Sequence, residues 1–166
     1  MTNQPAEPWT VLKLLNWTKD DFARLDVDEP RLSAEILLAH TLGCKRIELY
    51  TRFDYQPTHA QLEQYRQLIQ RGRNHEPVAY LVGTKEFFSL KFKVTPDVLI
   101  PRPETEMLVV QAVEHLRKLS RAATAWDVCT GSGCVAVAIA SQVKEATVLA
   151  TDISPAALRI ARENAA

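Results

Sequence analysis

Cysteine is scarce in this chain of 166 residues: Cys44, Cys129 and Cys134 are an odd set that supplies no disulfide framework. Cys129 and Cys134 lack C-x-x-C spacing, a second pair and a nearby histidine, which disfavours thiol–disulfide exchange and structural zinc alike. No metal site is expected. Excess charge is missing too, since Lys+Arg and Asp+Glu each number 20. No global field therefore gathers nucleic acid or an anionic membrane, and contact with a large anion has to be local. The longest apolar runs, such as VAVAIA at 135–140, are far too short to span a bilayer. MTNQPAEPWT lacks the basic segment and apolar run of a secretory signal. A reducing cytoplasm is the expected setting. What remains, 46% hydrophobic and 24% charged residues, is the composition of a globular protein with one ordinary domain or two small ones.

Residues 9 to about 75 read as helices. Leu12, Leu15 and Phe22 lie in a first segment, and Pro30 opens a second, RLSAEILLAHTLG, that stops at Gly43. PTHAQ at 57–61 is a start signal with Thr58 as N-cap and Gln61 three residues on. Leu62, Tyr65, Leu68 and Ile69 then share one stripe. His40, His59 and His75 are scattered singly and read as structural or solvated. After Pro77 the texture changes. In KEFFSLKFKVT, Phe88, Leu90, Phe92 and Val94 recur at period two, which predicts a hairpin between two domains. In VLIPRPETEMLVVQAVEHLRKL, Pro103 suits a first helical turn. Glu104 and Glu106 suit a helix N-terminus, Arg117 and Lys118 the other end, and Val109, Val113 and Leu116 a buried face. The expected organisation is a helical domain over 1–76, a hairpin linker over 77–100 and a partial Rossmann-like domain over 101–166.

From Thr124 the order is strand (TAWDVC), helix (VAVAIASQ), strand (TVLATD), helix (SPAALRIAREN), with Ser154 as N-cap and Pro155 just inside. This alternation predicts a parallel α/β sheet. A parallel sheet needs cover on both faces, and two strands cannot provide it, so the chain is expected to stop partway through a larger fold. Between the first strand and helix lies CTGSGC. No Lys follows Gly133, so it is not a P-loop. Gly131 and Gly133 let the backbone approach a ligand, beside the free N–H groups of the next helix. Asp152 ends the second strand, where its carboxylate can accept hydrogen bonds from ribose hydroxyls, and Asp127 ends the first, where it can meet an ammonium or sulfonium. The spacing Gly131-x-Gly133-x-x-Ala136, with an acid about 20 residues on, fits a nicotinamide dinucleotide as well as S-adenosylmethionine. Asp127 favours S-adenosylmethionine, because a carboxylate near the loop repels a pyrophosphate. A strand–helix turn with no ligand is the plainest alternative.

PVAYLVGTKEFFSLKFKVTPDVLIPRPETEMLV, DVCTGSGCVAVAIA and ATDISPAALRIARENA resemble the release factor glutamine methyltransferases, the HemK or PrmC family, and the likeness covers nearly the whole chain. The resemblance implies a helical domain that helps recognise the protein substrate, a hairpin joint and a Rossmann-like methyltransferase domain. It implies methyl transfer from S-adenosylmethionine to the side-chain amide nitrogen of the glutamine in the Gly-Gly-Gln tip of peptide chain release factors. By position, Cys129, Thr130, Gly131, Ser132 and Gly133 would surround the methionine part of the cofactor and Asp152 would hold the ribose. Arg102, Glu104 and Thr105 in the PRPETE turn would close over the pocket. Many family members carry Gly where this chain has Cys129, and CTGSGC also resembles sister enzymes acting on ribosomal protein uL3, which lack the PRPETE form. The family's Asn-Pro-Pro-Tyr signature does not occur in the chain, and no N-P-P string does. That signature would grip the amide NH2 and aim its lone pair, a catalysis by positioning with no dedicated base. No catalytic residue is therefore expected within residues 1–166, and these residues alone are expected to be inactive. A nicotinamide-dependent oxidoreductase and a non-catalytic binding module are the readings from other classes.

Overall fold

In a computed structural model, residues 8–119 and 123–166 are described; most of the N-terminal stretch read for a targeting signal, residues 1–7, lies outside them. The chain divides into two compact units, Met1–Val82 and Gly83–Ala166.

The first unit is helical: α1 (Val11–Arg24), α2 (Pro30–Leu42), the short α3 (Arg46–Leu49), α4 (His59–Arg73) and α5 (Val78–Val82). Its ends follow local chemistry. Thr10 caps α1 by accepting from the Lys13 N–H. Thr58 and Gln61 form the expected reciprocal cap of α4. Gly43 ends α2 with a φ of +63°, a left-handed turn that favours glycine. Val11, Leu14 and Phe22 of α1 meet Leu37 and Leu38 of α2 and Tyr65, Leu68 and Ile69 of α4 in one core. Leu12 falls outside that face and is exposed. Buried Tyr65 directs its hydroxyl at Thr18 Oγ1 (3.0 Å) and the Ala34 carbonyl (3.3 Å), so burial pushes its pKa up without stranding the group. Buried Asp21 pairs with Arg24 and Arg73, joining α1 to α4.

The second unit starts with a hairpin, β1 (Thr84–Phe87) and β2 (Leu90–Lys93), in antiparallel register Phe87↔Leu90 and Lys85↔Phe92. The expected period-two set is corrected at one position. Phe88 lies in the two-residue turn with Ser89, both at positive φ (51° and 59°), as such tight turns require. The core position belongs instead to Phe87, whose ring meets Phe92 edge-on at 6.1 Å. A 3₁₀ turn at Pro103–Thr105 leads into α6 (Glu106–Lys118), where Val109 and Val113 are buried as read from the sequence. Glu106 does not serve only its own helix end: its Oε1 accepts from the Phe88 N–H (2.9 Å) and pins the hairpin turn. Arg117 likewise donates to the Gln142 carbonyl of another helix.

Next come β3 (Thr124–Val128), α7 (Cys134–Gln142), β4 (Thr147–Thr151) and α8 (Pro155–Ala165). β3 and β4 pair in parallel, with Asp127 opposite Ala150 and Val128 opposite Thr151. Ser154 caps α8 by accepting from the Ala157 N–H, with Pro155 inside the first turn. Phe87, Phe92, Val109, Val113, Ala138, Ile139 and Val143 form the core, so hairpin, α6 and α7 share one apolar centre. The alternate sheet face is bare: Trp126, Val128 and Leu149 are exposed, and Trp126 Nε1 donates to Thr151 Oγ1 across the strands. The architecture is α/β, a helical N-terminal region followed by the start of a Rossmann-like domain.

Candidate functional site

The site is the loop from β3 into α7, held by hydrogen bonds from four directions. The Thr130 N–H donates to the Thr151 carbonyl (2.9 Å), which fixes the loop over the end of β4, and the Gly133 N–H closes a turn on the Thr130 carbonyl (2.9 Å). Asp127 Oδ2 accepts from the Thr130 hydroxyl (2.6 Å) and from the Ala136 N–H in the first turn of α7 (3.2 Å). Across the strands, Asp152 Oδ2 accepts from the Gly131 N–H (2.9 Å) and Oδ1 from the Ser154 N–H (2.9 Å). The Ser154 and Gly131 amides together hold the Asp152 carboxyl below its ordinary value of 3.8, so it stays ionised at neutral pH. Finally, the Asn164 amide near the end of α8 donates to the Ser132 carbonyl (2.8 Å).

The two glycines do different work. Gly131 has φ +56° and open space where a Cβ would point. Gly133 has φ +79°, and a Cβ there would lie 3.1 Å from Ala161 Cβ and 3.2 Å from its Cα. The sequence reading gave both glycines to ligand approach; for Gly133 the neighbour that excludes a side chain is α8.

Asp127, Thr130, Gly131 and Asp152 are thus gathered by direct bonds. Ser132 points inward, 2% exposed, beside the Cys134 thiol and without a well-formed hydrogen bond, so only its backbone faces the loop's partners. Thr130 is also buried and its hydroxyl is committed to Asp127. Cys129 is exposed at a left-handed φ of +63°. Burial pushes the Cys134 thiol up, against any role as a nucleophile. Arg102 and Glu104 are exposed and Thr105 half-buried, and among the described residues no hydrogen bond or ion pair joins these three to the loop. Sequence reasoning missed Asn164 and the Thr151 carbonyl, whose partners are brought near only by the fold.

No group of three or more His, Cys, Asp or Glu suited to a metal occurs among the described residues, and no helix there is long and apolar enough to cross a membrane. An apolar cleft of about 350 Å³ lies between α7, β4 and α8, lined by residues such as Ala136, Val148, Leu158 and Ala161. It touches Gly133 and Asp152 but not Asp127, Thr130 or Gly131, so it lies behind the loop.

A glycine-turned loop between a parallel strand and a helix, with acids at the ends of two adjacent strands, defines the opening of a Rossmann-like α/β domain. Comparison with known proteins agrees. Residues 13–83 match the PrmC N-terminal domain, and residues 103–166 match the family model described as ribosomal protein L11 methyltransferase (PrmA). The chain is 49% identical over 160 residues to a release factor glutamine methyltransferase of Rhodopirellula baltica, covering 95% of this chain and 54% of the relative. It is 43% identical to that of Geobacter sulfurreducens (99% of this chain, 57% of the relative) and 41% identical to that of Chlorobaculum tepidum (95% and 55%). Over nearly its whole length the chain is similar to release factor glutamine methyltransferases. It spans about half the length of the curated relatives it matches.

Proposed function

We propose that this chain carries the S-adenosylmethionine-binding part of an enzyme that methylates the side-chain amide nitrogen of a glutamine in the Gly-Gly-Gln motif of peptide chain release factors. The observation that carries the cofactor reading is the Asp127 carboxylate on the Ala136 N–H. A dinucleotide of the usual kind rests its pyrophosphate on the helix N-terminus. Here that position already holds an anion, which repels a second one and attracts a cation. Asp127 Oδ1 makes no hydrogen bond among the described residues and is left for an ammonium or sulfonium. Gly131 offers an open backbone, and Asp152 retains acceptor capacity for ribose hydroxyls beyond the two N–H groups it serves. These residues fit the cofactor, which supplies a methyl group made electrophilic by its sulfonium sulfur.

In this reading Asp127, Thr130, Gly131, Gly133 and Asp152 hold the cofactor, Cys129 and Ser132 shape the loop, and Arg102, Glu104 and Thr105 close over it. Residues Met1–Val82 form the arm that recognises the protein substrate, and a cytoplasmic setting suits a partner in translation. Names borne by the relatives support release factor as that partner. Calorimetric titration decides the cofactor: S-adenosylhomocysteine should bind and NADH should not, and the reverse would replace a methyltransferase with an oxidoreductase. Methyl transfer from labelled S-adenosylmethionine to a release factor should be absent with residues 1–166 alone. Turnover by this segment, or a preference for uL3, would overturn the corresponding assignment.

A further inference from the structure

Asn164 uses its whole amide on three backbone groups from two distant segments. Its Oδ1 accepts from the Lys93 N–H (2.7 Å), and its Nδ2 donates to the Lys93 carbonyl (3.0 Å) and to the Ser132 carbonyl (2.8 Å). The arrangement admits one orientation of the amide, since the flipped one would face oxygen to two carbonyls and NH2 to an N–H. It also admits few other residues. Aspartate keeps the acceptor but turns a charge on two carbonyls, and leucine leaves all three groups unpaired. Ala161, one turn earlier on α8, is the neighbour that forbids a side chain on Gly133. The end of α8 thus packs against the loop at Gly133 and bonds to it at Ser132, while gripping the last residue of β2.

We propose that Asn164 is a positioning residue for cofactor binding, clamping the 129–133 loop to the hairpin strand β2 so that the Gly131 backbone and Asp127 are held in their binding arrangement. The inference rests on the cofactor reading above. Its physical basis is preorganisation: a loop already fixed before binding loses less entropy when the ligand arrives. The adjacent ion pair Lys93–Glu163 (2.6 Å) is exposed, and such pairs contribute little, so the amide and not the charge pair is the working part.

The test compares Asn164→Ala, Asn164→Asp and Glu163→Ala in the full chain, by amide hydrogen exchange and S-adenosylhomocysteine titration. Both Asn164 variants should speed exchange of the Gly131 and Gly133 amides and weaken cofactor binding about tenfold, the scale of one or two lost hydrogen bonds. Exchange in the α6 amides should stay as in wild type, which separates loop loosening from unfolding. Glu163→Ala should leave both readings unchanged. Unchanged loop exchange in Asn164→Ala, or equal losses from Glu163→Ala, would overturn the clamp. If one Asn164 variant unfolds, the other carries the same comparison. Wild-type protein that does not bind S-adenosylhomocysteine would sink the cofactor reading instead, while the exchange data would still judge the clamp.

Discussion

The helical unit encloses its core, whereas the α/β unit leaves one sheet face bare. In the first, Phe22, Leu37, Leu38 and Leu49 are fully buried, and buried polar groups such as Tyr65 and Asp21 meet partners on neighbouring helices. In the second, Trp126 and Val128 of β3 are 66% and 59% exposed, and Leu149 of β4 is 52% exposed. The difference follows from element type. An amphipathic helix buries one stripe and is finished, but a parallel strand has two faces and both need cover. Met1–Val82 is therefore expected to fold alone, with cooperative thermal unfolding, and Gly83–Ala166 to bind hydrophobic dyes and unfold broadly. Cooperative unfolding of both would break the comparison.

The largest single effect should come from Phe22→Ala, about 3–5 kcal/mol, the usual cost of emptying a fully buried ring site. Gly72 fits directly beneath that ring, where even a Cβ would lie 2.8 Å from Phe22 Cζ, so little can move in to refill the space. Amide exchange should rise throughout the helical unit and remain unchanged over Cys134–Gln142. A matching rise in both regions would show that the units share their stability.

Within the α/β unit, Gly133→Ala should cost roughly 1–3 kcal/mol, combining left-handed strain with the Ala161 contact. Gly131→Ala has the strain alone and should cost less. Thermal unfolding of the pair gives the order, and the opposite order would remove α8 as the support behind the loop. Acid should act on the same loop. Asp152 has its folded-state pKa lowered, so its contribution is present above its ordinary value of 3.8 and is lost as pH falls through the depressed value. Exchange at Gly131, corrected for its intrinsic pH dependence, should therefore rise only below about that pH. A transition near neutrality would point to a different group.

Most of the fold was legible where the signal is local. Thr58 with Gln61, Gly43, and Ser154 with Pro155 mark helix ends because each acts on backbone groups within three or four residues. Phe88 was misplaced because a two-residue turn interrupts the alternation, and neither Phe88 nor Ser89 is a residue that usually signals such a turn. The acids of the site could be read from their places at strand ends. The clamp could not, since Asn164 lies 71 residues from Lys93 and 32 from Ser132. The same holds for Gly133, whose need for a bare Cα comes from Ala161.

The bare sheet face gives a smaller test. Trp126→Ser should change the stability of this chain by no more than about 0.5 kcal/mol, as surface changes do, and should reduce self-association. In a longer chain that covers the face, the same substitution should cost several times more. A large cost in residues 1–166 would mean that Trp126 is already packed.

A comparably small effect is expected at Cys129, and its sign comes from two opposed terms. The left-handed φ of +63° costs a residue with a Cβ about 1–2 kcal/mol, which Cys129→Gly would relieve. Glycine in turn gives the unfolded chain more freedom, a loss of roughly 0.5–1 kcal/mol. The Cys129 side chain is exposed, so little packing is forfeited. The balance favours Cys129→Gly by a few tenths to about 1 kcal/mol, read as a modest rise in melting temperature. S-adenosylhomocysteine affinity should stay within twofold of wild type, because the loop's hydrogen bonds come from Asp127, Thr151, Asp152 and Asn164 and none involves the cysteine side chain. A fall in stability would show that the thiol makes a contact worth more than the strain, and that this cysteine is a working part of the loop.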